Sequence, residues 1–169
     1  MIKSLYTFGR YAGTYKSKLP STLRNGPGVL VKLQGKDADK YTNDKISSTK
    51  VSEFNVMDVT DEKVGNILET KFNSSNKLPS QGEFKNDPKA HVIGEYKLLY
   101  NNCATFISNT LNQAGSGALE RMPDPKTGEQ TQDTFIIPSS LGSFLHWQSN
   151  SWLGNQSVVE QQPVQSEDE

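Results

Sequence analysis

The chain has 169 residues, a 33% hydrophobic fraction and a mean hydropathy of −0.65, enough core material for one small domain with a tail. Seven Phe, six Tyr and two Trp argue against a fully disordered chain. No apolar run approaches the roughly 20 residues of a membrane helix, and Met1-Ile2-Lys3-Ser4-Leu5 lacks an apolar stretch, so neither membrane insertion nor a secretory signal peptide is expected. The net charge of −1 and pI near 6.1 lack the footprint of a nucleic-acid binder. The four acids after Gly154, with no base among them, leave a mildly basic body and an acidic tail. One Cys forbids an intramolecular disulfide, and with two His it makes a thin ligand set, so no metal and no cofactor are expected.

In chain order, Ile2 to Phe8 reads as a strand stopped at Gly9. Residues 9–27 are punctuated by Gly and Pro and read as loop. Gly28 to Leu33 is a short β-branched run and reads as a buried strand. Residues 34–48 are polar and read as irregular. Val51, Phe54, Val56 and Val59 suggest another short strand. Thr60 is a capping residue, Asp61 and Glu62 suit a helix N-terminus, and Val64, Ile67, Leu68 and Phe72 share one face. Residues 73–88 read as loop, and Ala90 to Leu99 as a strand.

The clearest element is a helix from Cys103 to Gln113, capped by Asn102 and stopped at Gly115. Its inward face is expected to carry Cys103, Phe106, Ile107, Thr110, Leu111 and Ala114. A loop follows. Phe135-Ile136-Ile137 is expected to return to the core, and Pro138 to open a short helix bearing Leu141, Phe144 and Leu145. The expected fold is α+β, loop-rich, with a small antiparallel sheet packed by the Cys-bearing helix. The domain spans 1–153, and 154–169 is expected to be a disordered acidic tail.

Cys103 in the first turn of a helix has a chemical consequence. The free N–H groups and partial positive charge there favour the thiolate, the nucleophilic form. A cysteine hydrolase adds a His to protonate the leaving group and backbone donors for the oxyanion. The alternative is a buried Cys acting as a small hydrophobe. Gly26-Pro27-Gly28 is no phosphate cradle, because no Gly-Lys-Ser/Thr follows it. The acidic pairs Asp37/Asp39 and Asp58/Asp61 lack the spacing of a calcium loop.

Asn101-Asn102-Cys103-Ala104-Thr105-Phe106, preceded by Tyr96 and Leu98 and followed by Leu111 and Ala114-Gly115, resembles the Cys-helix motif of permuted NlpC-type, papain-like cysteine hydrolases. The nearer resemblance is to a subgroup appended to Rhs-repeat and type VI secretion effectors. Thr7-Phe8-Gly9-Arg10-Tyr11 resembles that subgroup's turn after an early hairpin, and Gly26 to Leu30 its next strand. The resemblance implies a bacterial thiol hydrolase, an amidase or endopeptidase with peptidoglycan peptide as first substrate class and acyl-ester transfer as a second. Cys103 is then the nucleophile, and its own N–H and a preceding one hold the oxyanion, with Asn102 in support. The resemblance also implies synthesis in the cytoplasm without a signal peptide, export by a specialised secretion system, and an immunity or delivery protein as partner.

The family carries its His in a Gly-His-aromatic strand ahead of the Cys helix, and this sequence has no such strand. The His-bearing strand is therefore expected upstream of Met1, or lost. His91 and His146 stand as weak internal candidates for the base. The competing class is a non-catalytic interaction module, a remnant of an Rhs or type VI effector in which Cys103 is structural.

Overall fold

The computed structural model describes residues 4–11, 25–48, 52–98, 100–151 and 157–161. The protein is α+β. Three strands, β1 (Ser4–Gly9), β2 (Gly26–Gln34) and β4 (Ala90–Tyr96), form an antiparallel sheet in the order β1-β2-β4. A second, two-stranded antiparallel sheet joins β3 (Glu53–Val56) to β5 (Val158–Gln161). The helices are α1 (Lys36–Ser48), α2 (Asp61–Phe72), α3 (Cys103–Ala114) and α4 (Pro138–Asn150).

The central strand β2 is apolar on both faces, which is why it reads as a continuous run rather than an alternation. Val29, Val31 and Leu33 point to one face, where they pack with Ala38 of α1, Phe84 and the neighbouring Ala90 of β4. Leu30 points to the other, packing with Phe8 and with Phe72 from α2; Tyr96 and Phe106 close that cluster. Gly28 pairs with Gly94 but Val29 with Val92, so Ile93 is an extra residue that bulges β4.

Helix α2 starts as its sequence predicts. The Thr60 hydroxyl accepts from Lys63 N at 3.2 Å, and Phe72 is the residue it buries. Helix α3 is packed on two sides. Phe106 reaches the sheet cluster, while Ala104 and Leu111 enter a third core with Ala118, Leu119, Leu141, Leu145 and Val158.

Four expectations are corrected. Residues 34–48, read as irregular, contain α1. Gly35 at φ +52° turns the chain into it, and Asp37 and Asp39 at its start and Lys45 near its end match the helix dipole. Among the described side chains of α1, Ala38 and Tyr41 are the ones that reach the core, too thin an apolar stripe to announce a helix. The tail from Gly154, read as disordered, contains β5, whose Val158 is 2% exposed and plugs the third core. Residues 162–169 lie outside the described residues, as do Ile2 and most of the 9–27 loop. Ile107 is 46% exposed, because it falls between the two packed sides of α3. Of Phe135-Ile136-Ile137 only Phe135 packs inward; both isoleucines are exposed.

Candidate functional site

Asn102 builds the start of α3. It is 1% exposed, and its Oδ1 accepts from Ala104 N at 2.9 Å and Thr105 N at 3.1 Å. The Asn102 backbone N–H donates to Thr105 Oγ1 at 2.8 Å, completing a capping box. The side-chain Nδ2 donates to the carbonyls of Leu98 at 2.5 Å and Ile136 at 2.7 Å. All three N–H bonds of Asn102 are thereby used. It supports Cys103 by fixing the backbone on both sides of it and has no N–H left for an oxyanion. The preceding N–H expected to share that task is the one bound to Thr105.

Cys103, the first helical residue, is half-buried and not disulfide-bonded. Its neighbour on the sheet is Tyr96, the last residue of β4. The pKa of the Tyr96 hydroxyl is raised first by burial, then by the negative charge Cys103 carries when ionised and by its hydrogen bond to that side chain; the Cys103 backbone N–H and the Arg10 guanidinium act in the opposite direction. The hydroxyl thus faces both the thiol and the N–H of the same residue. A phenol is a donor to a thiolate and an acceptor from an N–H, so Tyr96 can serve both groups.

Two glycines of β2 make this arrangement possible. Tyr96 pairs with Gly26 across the sheet, and a Cβ on Gly26 would lie 3.1 Å from Arg10 Cδ and 3.2 Å from its Nε. The buried Arg10 side chain therefore runs over Gly26 towards β4. A Cβ on Gly28 would lie 2.9 Å from Phe8 Cζ, and Phe8 in turn sits 5.9 Å from the Tyr96 ring and stacks on Phe106 at 4.6 Å. In the sequence Arg10 and Tyr96 stand only as members of motifs, with no role of their own. The available signal is the period of 2 that puts Tyr6, Phe8 and Arg10 on one side of the chain.

Neither histidine is spent on the thiol. His91 lies on β4, stacks on the Phe72 ring with centroids 3.9 Å apart, and donates from Nδ1 to the Phe72 carbonyl at 2.9 Å. His146 is exposed on α4, with Nδ1 2.6 Å from Glu160 Oε2 on β5. Asn150 Nδ2 joins the same carboxylate at 3.0 Å. Cys103 and Asn102 are brought together; His91 and His146 hold other elements in place. Among the described residues no group of three or more His, Cys, Asp and Glu could hold a metal ion, and no helix is long and apolar enough to cross a membrane.

Comparison with family models, curated proteins and solved structures gives no match to this chain.

Proposed function

We propose that the chain is a thiol-dependent acyl hydrolase of the permuted papain-like, NlpC-type kind, with Cys103 as nucleophile and peptidoglycan peptide as first substrate class. The observation that supports it is a half-buried cysteine at the start of a helix whose first turn is locked by Asn102, with the Tyr96 hydroxyl facing its thiol and N–H. In this reading the thiolate attacks the carbonyl carbon, the Cys103 N–H turns from the Tyr96 hydroxyl to the oxyanion as it develops, the leaving group departs as the acyl-enzyme forms, and water then releases the acid. The helix N-terminus adds its positive potential at the same point. Export as an Rhs or type VI effector domain, with an immunity or delivery protein as partner, belongs to the same proposal.

The weak step is protonation of the leaving amine. A general acid is worth about 10²–10⁴-fold, and both imidazoles use Nδ1 elsewhere. Cleavage of a peptide amide is therefore slow at this site, and an ester whose leaving group needs no proton is the substrate that reveals the thiol chemistry. The test is incubation with a p-nitrophenyl ester and with peptidoglycan fragments, following acylation of Cys103 by mass. The expected result is a Cys103-bound acyl group from the ester, absent in Cys103→Ala, with slow or no cleavage of the fragments.

The same two histidine contacts favour a second reading, a non-catalytic interaction module with Cys103 as a core residue. That reading wins if the folded protein forms no acyl-cysteine and reacts with iodoacetamide no faster than unfolded protein.

A further inference from the structure

A groove of about 320 Å³ opens between the C-terminal end of α2, the N-terminal half of α3 and β4. Its floor is the stacked pair Phe8 and Phe106. The floor is open above at Gly94, which carries no side chain and where a Cβ would meet nothing nearer than Asn101 Nδ2 at 3.9 Å. Its rim carries Lys71, whose ammonium stands 5.6 Å from the Phe106 ring centre, together with the amides of Asn101 and Asn109. Asn101 gives one amide hydrogen to the Glu95 carbonyl at 2.6 Å, which leaves its second for a ligand. None of the described residues lining the groove is Asp or Glu. Phe106 is one helical turn from Cys103 on α3, so the groove begins one turn from the thiol.

A cation with neutral amide donors over an aromatic floor, and no acid to compete, complements a carboxylate on an aliphatic chain. We propose that this groove is a carboxylate-binding subsite, in which Lys71, Asn101 and Asn109 receive a free carboxylate of a peptide and Phe8 and Phe106 carry its aliphatic part. The choice of peptide rests on the thiol-hydrolase reading; the carboxylate preference does not.

The test uses the full chain with Cys103→Ala, so that binding is read without turnover. A peptidoglycan stem tetrapeptide with free carboxylates, its fully amidated form and inorganic phosphate are titrated into ¹⁵N-labelled protein. The free acid is expected to move the amide signals of Gly94, Asn101 and Asn109 saturably and to bind roughly tenfold tighter than the amidated form. Lys71→Met should erase that preference. Gly94→Val, placed where a Cβ meets nothing nearer than Asn101 Nδ2 at 3.9 Å, should fill the groove and weaken both peptides while the remaining spectrum stays folded.

Equal binding of the two forms, a preference that survives Lys71→Met, or displacement by phosphate at equal concentration would each overturn the subsite. Acylation of Cys103 by the p-nitrophenyl ester is scored separately in the unsubstituted chain. Lysine-dependent binding without any acyl-cysteine sinks the hydrolase reading and leaves the subsite standing. Acylation without carboxylate preference does the reverse.

Discussion

Asn102 donates to the carbonyl of Ile136, and that one hydrogen bond of 2.7 Å ties the first turn of α3 to the entry of α4. The helix that carries Cys103 is thereby fixed at its start by a residue 34 positions further along the chain. The exposed side chain of Ile136 contributes nothing to the core, so its backbone is what matters there. Asn102→Ala removes the cap and strands the part-buried carbonyls of Leu98 and Ile136, and should cost about 1–3 kcal/mol in urea denaturation. Asn102→Asp keeps the cap oxygen but sets a second oxygen against the carbonyls of Leu98 and Ile136, so it should rescue little of that loss.

Leu111→Ala should cost about 2–5 kcal/mol, because Leu111 is buried among Ala104, Leu141 and Leu145. Ile107→Ser and Asn109→Ala should each stay within about 0.5 kcal/mol, since both side chains are exposed. A large loss at Ile107, measured by the same denaturation midpoints, would show that this side of α3 is covered.

Glu69 receives three donors: Lys32 Nζ at 2.7 Å, the Tyr6 hydroxyl at 2.6 Å and Asn73 Nδ2 at 3.1 Å. The Lys32 hydrogen bond, followed by that of Tyr6, pulls its carboxyl from the usual 4.5 down to about 2. A depressed carboxylate stabilises the fold above its unfolded value, and the contribution fades as pH falls from about 4.5 towards 2. Glu69→Gln should lower stability at neutral pH and flatten the acid limb over that window. Thermal melts at successive pH values measure it; an unchanged slope would count against the shift.

Two glycine substitutions should act in opposite directions. Gly28→Ala drives a methyl to 2.9 Å from Phe8 and 3.2 Å from the Tyr96 backbone nitrogen, and should cost about 1–3 kcal/mol. Adding Phe8→Leu should relieve the ring contact but not the backbone one, so recovery should be partial. Gly65 lies inside α2, where an added methyl would meet nothing within 4 Å, and Gly65→Ala should stabilise by about 0.5–1 kcal/mol. Denaturation midpoints of the two variants, compared with the parent chain, check both signs.

What the sequence makes legible is local. The cap, apolar face and glycine stop of α3 are written within a short run of consecutive positions, and Thr60 announces α2 in the same way. Helix α1 is hidden because, among its described side chains, Ala38 and Tyr41 reach the core, and it is joined to the rest by contacts such as the Asp37–Lys89 ion pair at 2.6 Å, whose partner is distant in the chain. Strand β5 is hidden because Val158 and Val159 are a short apolar pair in a Gln- and Ser-rich stretch, and pairing with β3 decides its conformation. The same holds for the site. Cys103 and Asn102 are neighbours in sequence and can be read together. Arg10, Gly26 and Tyr96 become neighbours only through sheet register, so no spacing rule joins them. His91 and His146 look equivalent as candidates in the sequence, and only the Phe72 ring and the Glu160 carboxylate distinguish their surroundings.

The pairing of Glu53 with Gln161 has a kinetic consequence, since it closes a loop of roughly a hundred residues. The three-stranded sheet and the aromatic side of α3 need nothing beyond Ala114 to assemble. The core around Leu111, Leu145 and Val158 waits for the last strand. During synthesis the Cys103 helix is therefore docked on one side and bare on the other until β5 emerges, and that interval is when a chaperone, a protease or a second copy has access to its apolar side.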